Sequence, residues 1–191
     1  MSASLEELMD ALESACLQAF AEMLVTTGRA AQPQVHMFTD GLTYSTDSQP
    51  GYFGNILTRP YYQGEDAFGA IVRLGTLPAA IRPTHLLIVW EQSDLETSLL
   101  GPGSYQTGVA AVRVGPNAHS VNWYPFLPRV EDSPTGPSIH LDWGESMHYD
   151  GVELADVVED LITEWRRPGG DPVHVVPELL REGYLIDLVQ P

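Results

Sequence analysis

Two His-x-Asp pairs follow each other in the second half of the sequence, His140 with Asp142 and His148 with Asp150. Residues two positions apart on a β-strand point to the same face, so each pair would present an imidazole and a carboxylate in one direction. If residues 143–146 turn the chain, the two pairs converge. This segment is therefore the best candidate in the sequence for a chemically active site.

Metal binding is the chemistry that these residue types serve best. Two imidazoles and a carboxylate, here His140, His148 and Asp142, are a common ligand set for zinc or iron and leave one position open for water. Glu145 would then act as the general base. The alternative is structural: Asp150 is placed to cap the following helix, and His140 and Asp142 would line the wet face of an edge strand. The spacing matches no metal motif.

Two aromatic clusters are candidates for binding a partner. The first is Arg59, Tyr61 and Tyr62, in the sequence RPYYQ, and the second consists of Trp123 and Tyr124 with Phe126. Tyrosine, tryptophan and arginine are enriched at the hot spots of protein interfaces. The competing interpretation is that these rings pack the core of the domain itself, as most large aromatic side chains do.

The residue inventory excludes several reaction classes. All nine basic residues are arginines, so Schiff-base chemistry and a lysine-dependent phosphate loop are impossible. The single cysteine, Cys16, falls on the apolar stripe of a predicted helix, where desolvation disfavours the thiolate. No G-x-S-x-G motif marks a nucleophilic serine. We expect no cofactor, unless the His/Asp pairs bind zinc or iron.

The net charge of the chain excludes some classes of binding partner. The 26 acidic residues and nine basic ones give a formal charge of -17. Such a surface repels the phosphates of nucleic acids and of anionic membranes, so neither is expected as a partner. One cysteine allows no intramolecular disulfide, residues 1–10 carry no basic side chain, and no apolar stretch approaches the length of a membrane span. We therefore expect a cytoplasmic protein.

The clearest predicted element is a long amphipathic helix at the start of the chain. Ser4 and Glu7 form a capping box, apolar residues follow at helical spacing, and Gly28 is placed to end the helix. Glu13 is expected on its wet side with the other acidic residues. A hairpin is predicted next, with strands at 35–39 and 42–46 and Asp40-Gly41 as its two-residue turn, because both central positions of such a turn need positive φ. A loop is predicted at 47–54.

The residue pattern in the middle of the chain predicts most strands of the sheet. The apolar run HLLIVW at 85–90 is typical of a strand buried on both faces, which places it centrally. Further strands are expected at 109–114, 120–126 and 139–143, with mobile surface loops at 94–106 and 129–138.

The other helices complete the prediction. One is expected over 64–74, one opens at Asp150, and a short one has Pro177 at its first position. The whole chain, 1–191, is predicted to be a single α+β domain. Its mainly antiparallel sheet, an N-terminal hairpin plus a three-strand meander, would pack with three to four helices.

The sequence is compatible with two functions. The first is a non-catalytic acidic accessory protein that binds a protein partner or self-associates, since no coherent catalytic motif is present. The second is a metal-dependent hydrolase-like enzyme built on the cluster at 140–148. The enzyme needs a pocket where the three predicted ligands meet, whereas the interaction protein needs an exposed apolar patch or a dimer interface.

Overall fold

The computed structural model of the protein describes residues 4–42, 49–133 and 136–189. Its helices are α1 (Leu5–Thr27), α2 (Glu65–Val72), α3 (Thr76–Ile81), α4 (Gln92–Leu100), α5 (Asp156–Arg166) and α6 (Pro172–Glu182), with a 3-10 turn (Arg73–Gly75) between α2 and α3. Its strands are β1 (Gln34–Leu42), β2 (Gln49–Leu57), β3 (His85–Glu91), β4 (Gly108–Val114), β5 (His119–Ser133), β6 (Gly136–Trp143), β7 (Met147–Asp150) and β8 (Leu185–Leu188).

The described strands form one antiparallel sheet in the order β6-β5-β4-β3-β1-β2-β8, and β7 also pairs with β5. The predicted α+β class with a mainly antiparallel sheet is confirmed. The finer prediction is not matched, because the described residues form eight strands and six α-helices rather than a hairpin, a three-strand meander and three to four helices. Strand β3 lies in the middle of the order, as its apolar run predicted.

Helices cover both faces of the sheet, so alternate residues of each strand enter two hydrophobic clusters. On one face, which we call the α1 face, the cluster consists of Met9, Cys16, Phe20, Phe38, Leu87, Val89, Val109, Ala111 and Phe126. On the other, the bundle face, α2, α3, α5 and α6 contribute to a larger cluster that includes Met37, Ile71, Leu77, Ile88, Val112, Leu161 and Leu179. Removing this apolar surface from water is the main term that stabilises the fold.

The first helix begins and ends as predicted. Oγ of Ser4 accepts from the backbone N–H of Glu7 (3.1 Å), and Oε2 of Glu7 accepts from the backbone N–H of Ser4 (2.7 Å). Gly28 ends the helix with a φ of 69°, a left-handed conformation that glycine adopts without steric cost. Among the described residues, the helices lack the combination of length and hydropathy that spanning a bilayer requires.

The first hairpin forms, but the prediction that Asp40-Gly41 is its turn is wrong. Strand β1 continues through both residues, and β2 begins at Gln49, inside a segment predicted as a loop. The connecting residues 43–48, which include most of the predicted second strand, lie outside the described residues. The backbone N–H of Asp40 donates to Oγ1 of Thr84 (2.8 Å). This tertiary contact keeps the chain extended past the local turn signal.

The predicted loop at 94–106 is wrong in its first half, because α4 extends to Leu100. The carboxylate of Glu91 caps this helix by accepting from the backbone N–H groups of Ser93 (3.0 Å) and Asp94 (2.6 Å). Glutamate is not among the residues that usually cap a helix N-terminus, so no local pattern marks the start of α4.

The predicted loop at 129–138 is also wrong, since β5 continues to Ser133 and pairs with β6 from Gly136 onwards. The ladder between β4 and β5 ends at Pro125, so beyond it β5 is paired to a strand on one side only, as far as the described residues show. A strand with one unpaired side tolerates prolines such as Pro128, which explains why a proline-rich sequence forms a ribbon here.

Two predicted helix starts differ from the structure. Asp150 lies in β7, and the helix that it was expected to cap begins only at Asp156. The last helix begins at Pro172, where Asp171 caps it with a hydrogen bond to a backbone N–H. Pro177 therefore lies inside that helix rather than at its first position.

Gly75 lies where the 3-10 turn meets α5. A Cβ at this position would be 2.4 Å from the carbonyl oxygen of Leu161, a backbone atom that cannot move aside. Gly75→Ala is therefore expected to lower the free energy of unfolding by about 3 kcal/mol in urea denaturation. The control is Gly69→Ala, whose Cβ meets nothing within 4 Å and should stabilise α2 by about 1 kcal/mol. Equal stability of the two variants would contradict this packing.

Candidate functional site

A one-residue bulge interrupts the strand that runs beside β5. Strand β6 pairs with β5 as far as Trp143, and β7 resumes the pairing at Met147, so residues 144–146 lie opposite residues 124–125 alone. Pro125 cannot donate to the ladder because it has no backbone N–H. The outer strand therefore carries one residue more than β5 at this point, which is the signature of a β-bulge.

The bulge sends the two His-x-Asp pairs to opposite faces of the sheet. His140 and Asp142 oppose odd-numbered residues of β5, on the bundle face, whereas His148 and Asp150 oppose even-numbered residues, on the α1 face. Each pair shares a face, as predicted, but the pairs do not meet. Within the described ranges, no three His, Cys, Asp or Glu side chains are grouped so that they could hold a metal ion. The zinc or iron site predicted from His140, Asp142 and His148 is thus not assembled.

The surroundings of the first pair are those of a solvated strand. Asp142 forms an ion pair with Arg129 across the ladder. His140 is 56% exposed, and its Nε2 is 3.1 Å from Oγ of Ser138. Glu145, the predicted general base, is exposed at the bulge. These placements correspond to the structural alternative that the sequence left open.

A polar cleft of about 640 Å³ lies on the α1 face, between the first half of α1 and strands β4, β5 and β7. Its charged and polar lining consists of Glu6, Asp10, Arg113, Ser120, Asn122, Tyr124, Ser146, His148 and Asp150. Nδ1 of His148 is 2.6 Å from Oδ1 of Asn122, and its Nε2 is 3.2 Å from Oδ1 of Asp150. Tyr124, predicted to form one binding cluster with Trp123, belongs to this cleft instead.

A buried carboxylate lies beneath the polar cleft. Glu13 of α1 is 2% exposed. It accepts hydrogen bonds from three side chains: Nε of Arg113 (2.7 Å), Nδ2 of Asn122 (2.8 Å) and Oη of Tyr124 (2.5 Å). A buried charge is tolerated when it is paired and hydrogen-bonded in this way. Burial and the neighbouring Glu13 raise the pKa of Tyr124, so the phenol keeps the proton that it donates.

Sequence reasoning missed this carboxylate, and the expectation that Glu13 lies on the wet side of α1 is wrong. A signal was present. Met9, Glu13, Cys16 and Phe20 follow the spacing of one buried helical stripe, and all four are buried. An acidic residue in register with such a stripe predicts a buried cationic partner, which here is Arg113.

The carboxylate of Glu13 also fixes the orientation of the Asn122 amide. A carboxylate only accepts hydrogen bonds, so Nδ2 of Asn122 faces Glu13 and Oδ1 faces His148. Nδ1 of His148 is then the donor to Oδ1, and one row of hydrogen bonds runs from His148 through Asn122 and Glu13 to Arg113. Because three donors already occupy its oxygens, Glu13 serves to anchor α1 and is not free to act as a general base.

A second buried row, Cys16, His36 and Tyr52, lies between α1 and the sheet. Nε2 of His36 is 3.3 Å from Sγ of Cys16, and its Nδ1 is 2.8 Å from Oη of Tyr52. Burial lowers the pKa of His36 to about 4, and burial together with Glu13 raises the pKa of Cys16 to about 11. Both groups are therefore uncharged at neutral pH, unlike the thiolate and imidazolium of a cysteine nucleophile.

A larger cleft of about 1150 Å³, which we call the aromatic cleft, opens on the bundle face and extends past the end of the β4–β5 ladder to Phe126 and Trp143, which the strand register places on the α1 face. The six rings that line it are Trp90, Tyr105, Trp123, Phe126, Trp143 and Tyr149. Three of its apolar side chains are well exposed, Trp143 (42%), Tyr149 (42%) and Met147 (41%). Strand β7 thus contributes Tyr149 to the aromatic cleft and His148 and Asp150 to the polar cleft, and Met147 lines both.

The other predicted binding cluster does not form a patch of exposed rings. Both terminal nitrogens of Arg59 donate to the carboxylate of Asp66, and these bonds lower the pKa of Asp66 to about 2. Tyr61 packs against the core on the bundle face, whereas Tyr62 is 85% exposed. Of the second cluster, Trp123 and Phe126 line the aromatic cleft, whereas Tyr124 lines the polar cleft.

The chain matches no protein-family model, no curated protein and no solved structure. The polar cleft and the aromatic cleft lie back to back on β5 and β7, and they differ in how their lining groups are paired. The polar cleft is lined by groups that hydrogen-bond to one another and to Glu13. The aromatic cleft differs, because it leaves large apolar side chains in contact with solvent.

Glu13→Gln should destabilise the protein, because it removes the buried partner of Arg113 and leaves that guanidinium only its ion pair with the more exposed Asp10 (2.7 Å). The expected loss is about 3 kcal/mol in chemical denaturation at pH 7. Glu22→Gln, on the exposed side of the same helix, is the matched control and should stay within about 0.5 kcal/mol of the parent. Similar losses in the two variants would show that Glu13 does not anchor α1.

His36 should make the protein less stable as the pH falls from 6.5 towards 4. The unfolded chain protonates this imidazole near its ordinary pKa of 6.5, whereas burial lowers the pKa in the folded chain to about 4. The unfolded state therefore binds more protons in this window, and stability is lost as the pH falls, by up to about 3 kcal/mol.

The measurement is the free energy of unfolding at pH 7 and at pH 4. The parent should lose about 3 kcal/mol more over this range than His36→Leu does. His174→Leu, at a position whose side chain is 84% exposed, should keep the loss seen in the parent. Equal losses in the parent and in His36→Leu would refute this role of His36.

Proposed function

We propose that the protein is a non-catalytic interaction protein of the cytoplasm that binds a protein partner in the aromatic cleft. One observation carries the proposal: Trp143, Met147 and Tyr149 are each more than 40% exposed around a single cleft. Large apolar side chains that are exposed together contribute little to folding and favour aggregation. Such patches therefore mark binding surfaces.

The composition of the cleft favours a macromolecular partner over a small molecule. Tryptophan, tyrosine, methionine and arginine are the residue types enriched at protein interfaces, and all four line the cleft. Its volume of about 1150 Å³ exceeds that of most small-molecule pockets, which is about 300 to 1,000 Å³. Trp90 is almost fully buried, whereas Trp143 is 42% exposed. A partner side chain can be anchored against such an exposed ring, as hot-spot residues are.

The contacts of the reactive side chains support a non-catalytic role. The carboxylate of Glu13 is occupied by three donors, and Asp142 is paired with Arg129. Cys16 and His36 are buried in their uncharged forms. Cys16 is also the only cysteine of the sequence, which suits a reducing compartment such as the cytoplasm.

Selection of phage-displayed random dodecapeptides on the immobilised protein tests the proposal. The peptides recovered should bind in the aromatic cleft, so Trp143→Ala and Tyr149→Ala should each weaken their binding about tenfold or more, as truncation of a hot-spot ring does. The dissociation constants are measured by fluorescence anisotropy of labelled synthetic peptides.

Tyr62→Ala is the matched control, because it removes an exposed ring that lies outside the cleft. It should leave the dissociation constants unchanged. The ring of Trp143 lies 5.3 Å from that of Phe126, so Trp143→Ala could lose packing. Each variant is therefore first checked for cooperative unfolding. Where Trp143→Ala proves unstable, the result for Tyr149→Ala alone tests the proposal. A selection that recovers no binder, or binders that lose affinity only in Tyr62→Ala, would refute the proposal.

A further inference from the structure

The charges at the aromatic cleft are unbalanced. Its charged side chains are Glu96, Arg129, Asp142 and Glu153. Asp142 and Arg129 form an ion pair with each other and largely cancel. The carboxylates of Glu96, on α4, and Glu153, in the segment that precedes α5, therefore leave the cleft with an excess of negative charge next to its rings.

We infer that the partner segment bound in the aromatic cleft is cationic, a short stretch of chain in which arginine or lysine stands beside apolar residues. This inference rests on the proposed function. A cation is attracted to the faces of tryptophan and tyrosine rings, and Trp143 and Tyr149 offer exposed rings at the rim. The same cation is stabilised by the carboxylates of Glu96 and Glu153, and an apolar neighbour can pack against Trp123.

Arginine suits this surface better than lysine does. Its guanidinium is planar and weakly hydrated, so it can stack on an aromatic ring and still donate to a carboxylate. A cleft that combines exposed rings with two carboxylates offers both kinds of contact at once. We therefore expect arginine to predominate among the cations of the bound segment.

The charge of the whole chain supports the same partner chemistry. At a formal charge of -17, the protein attracts cationic segments from a distance and repels acidic ones, which raises the association rate of the former at low salt. An acidic segment would meet like charge both during approach and at Glu96 and Glu153. The negative charge of the protein thus favours a cationic segment both during its approach and after it has bound in the cleft.

The test uses the dodecapeptides recovered in the selection described above, resynthesised with citrulline in place of each arginine and with norleucine in place of each lysine. The recovered peptides should carry a net positive charge, and the neutral versions should bind at least tenfold more weakly. The double variant Glu96→Gln/Glu153→Gln should weaken binding of the cationic peptides about fivefold and should leave binding of the neutral versions unchanged.

The control Glu65→Gln/Glu159→Gln removes the same amount of charge from exposed positions outside the cleft. It should change the affinity less than twofold. An equal loss in both double variants would trace the effect to net charge and overturn the assignment to Glu96 and Glu153.

The remaining outcomes separate the inference from the function on which it rests. Recovered peptides that are neutral or acidic, and that still lose binding in Trp143→Ala and Tyr149→Ala, would overturn the cationic partner and leave the proposed function standing. Peptides whose binding is insensitive to both of these variants would overturn the proposed function, and the inference would fall with it.

Discussion

A carboxylate buried beneath α1 requires donors from the sheet, and this requirement fixes how the helix lies. Arg113 of β4, with Asn122 and Tyr124 of β5, supplies those donors to Glu13. Separating a buried ion pair costs more free energy than the burial of one methyl group contributes. A shift of α1 along the strands would separate Glu13 from its donors, so the helix has one favourable position. The apolar residues of the same helical stripe, which follow at helical spacing, then pack against the strands in that register.

Because α1 lies on one face of the sheet and the other helices lie on the opposite face, β5 lines a cleft on each of its two faces. Its even-numbered residues Asn122 and Tyr124 line the polar cleft, and its odd-numbered residues Val121 and Trp123 line the aromatic cleft. Strand β7 repeats this division beside it. The two clefts therefore share a wall one strand layer thick, with hydrogen-bonded polar groups on one side and exposed apolar side chains on the other.

Patterns among neighbouring residues predicted the fold class and single elements such as α1 and β3. Features that depend on residues distant in the sequence were not predicted. Helix α1 followed from its capping box and β3 from its apolar run, because each is decided within one element. The Asp40-Gly41 turn and the face of His148 were decided elsewhere, by the contact with Thr84 and by the bulge opposite Pro125, and no local pattern carries strand register. Of the rings of the aromatic cleft, the sequence pattern singled out only Trp123 and Phe126, because the others come from separate stretches of chain.

The bulge at 144–146 makes the arrangement of the clefts depend on chain length rather than on residue identity. A point substitution in this connection leaves the alternation of β7 intact. Deletion or insertion of a single residue there would exchange the two sides of β7, bringing a histidine and an aspartate to the aromatic rings and a tyrosine and a methionine to the polar row. Homologous chains that keep both clefts are therefore expected to vary in sequence at this connection while conserving its number of residues.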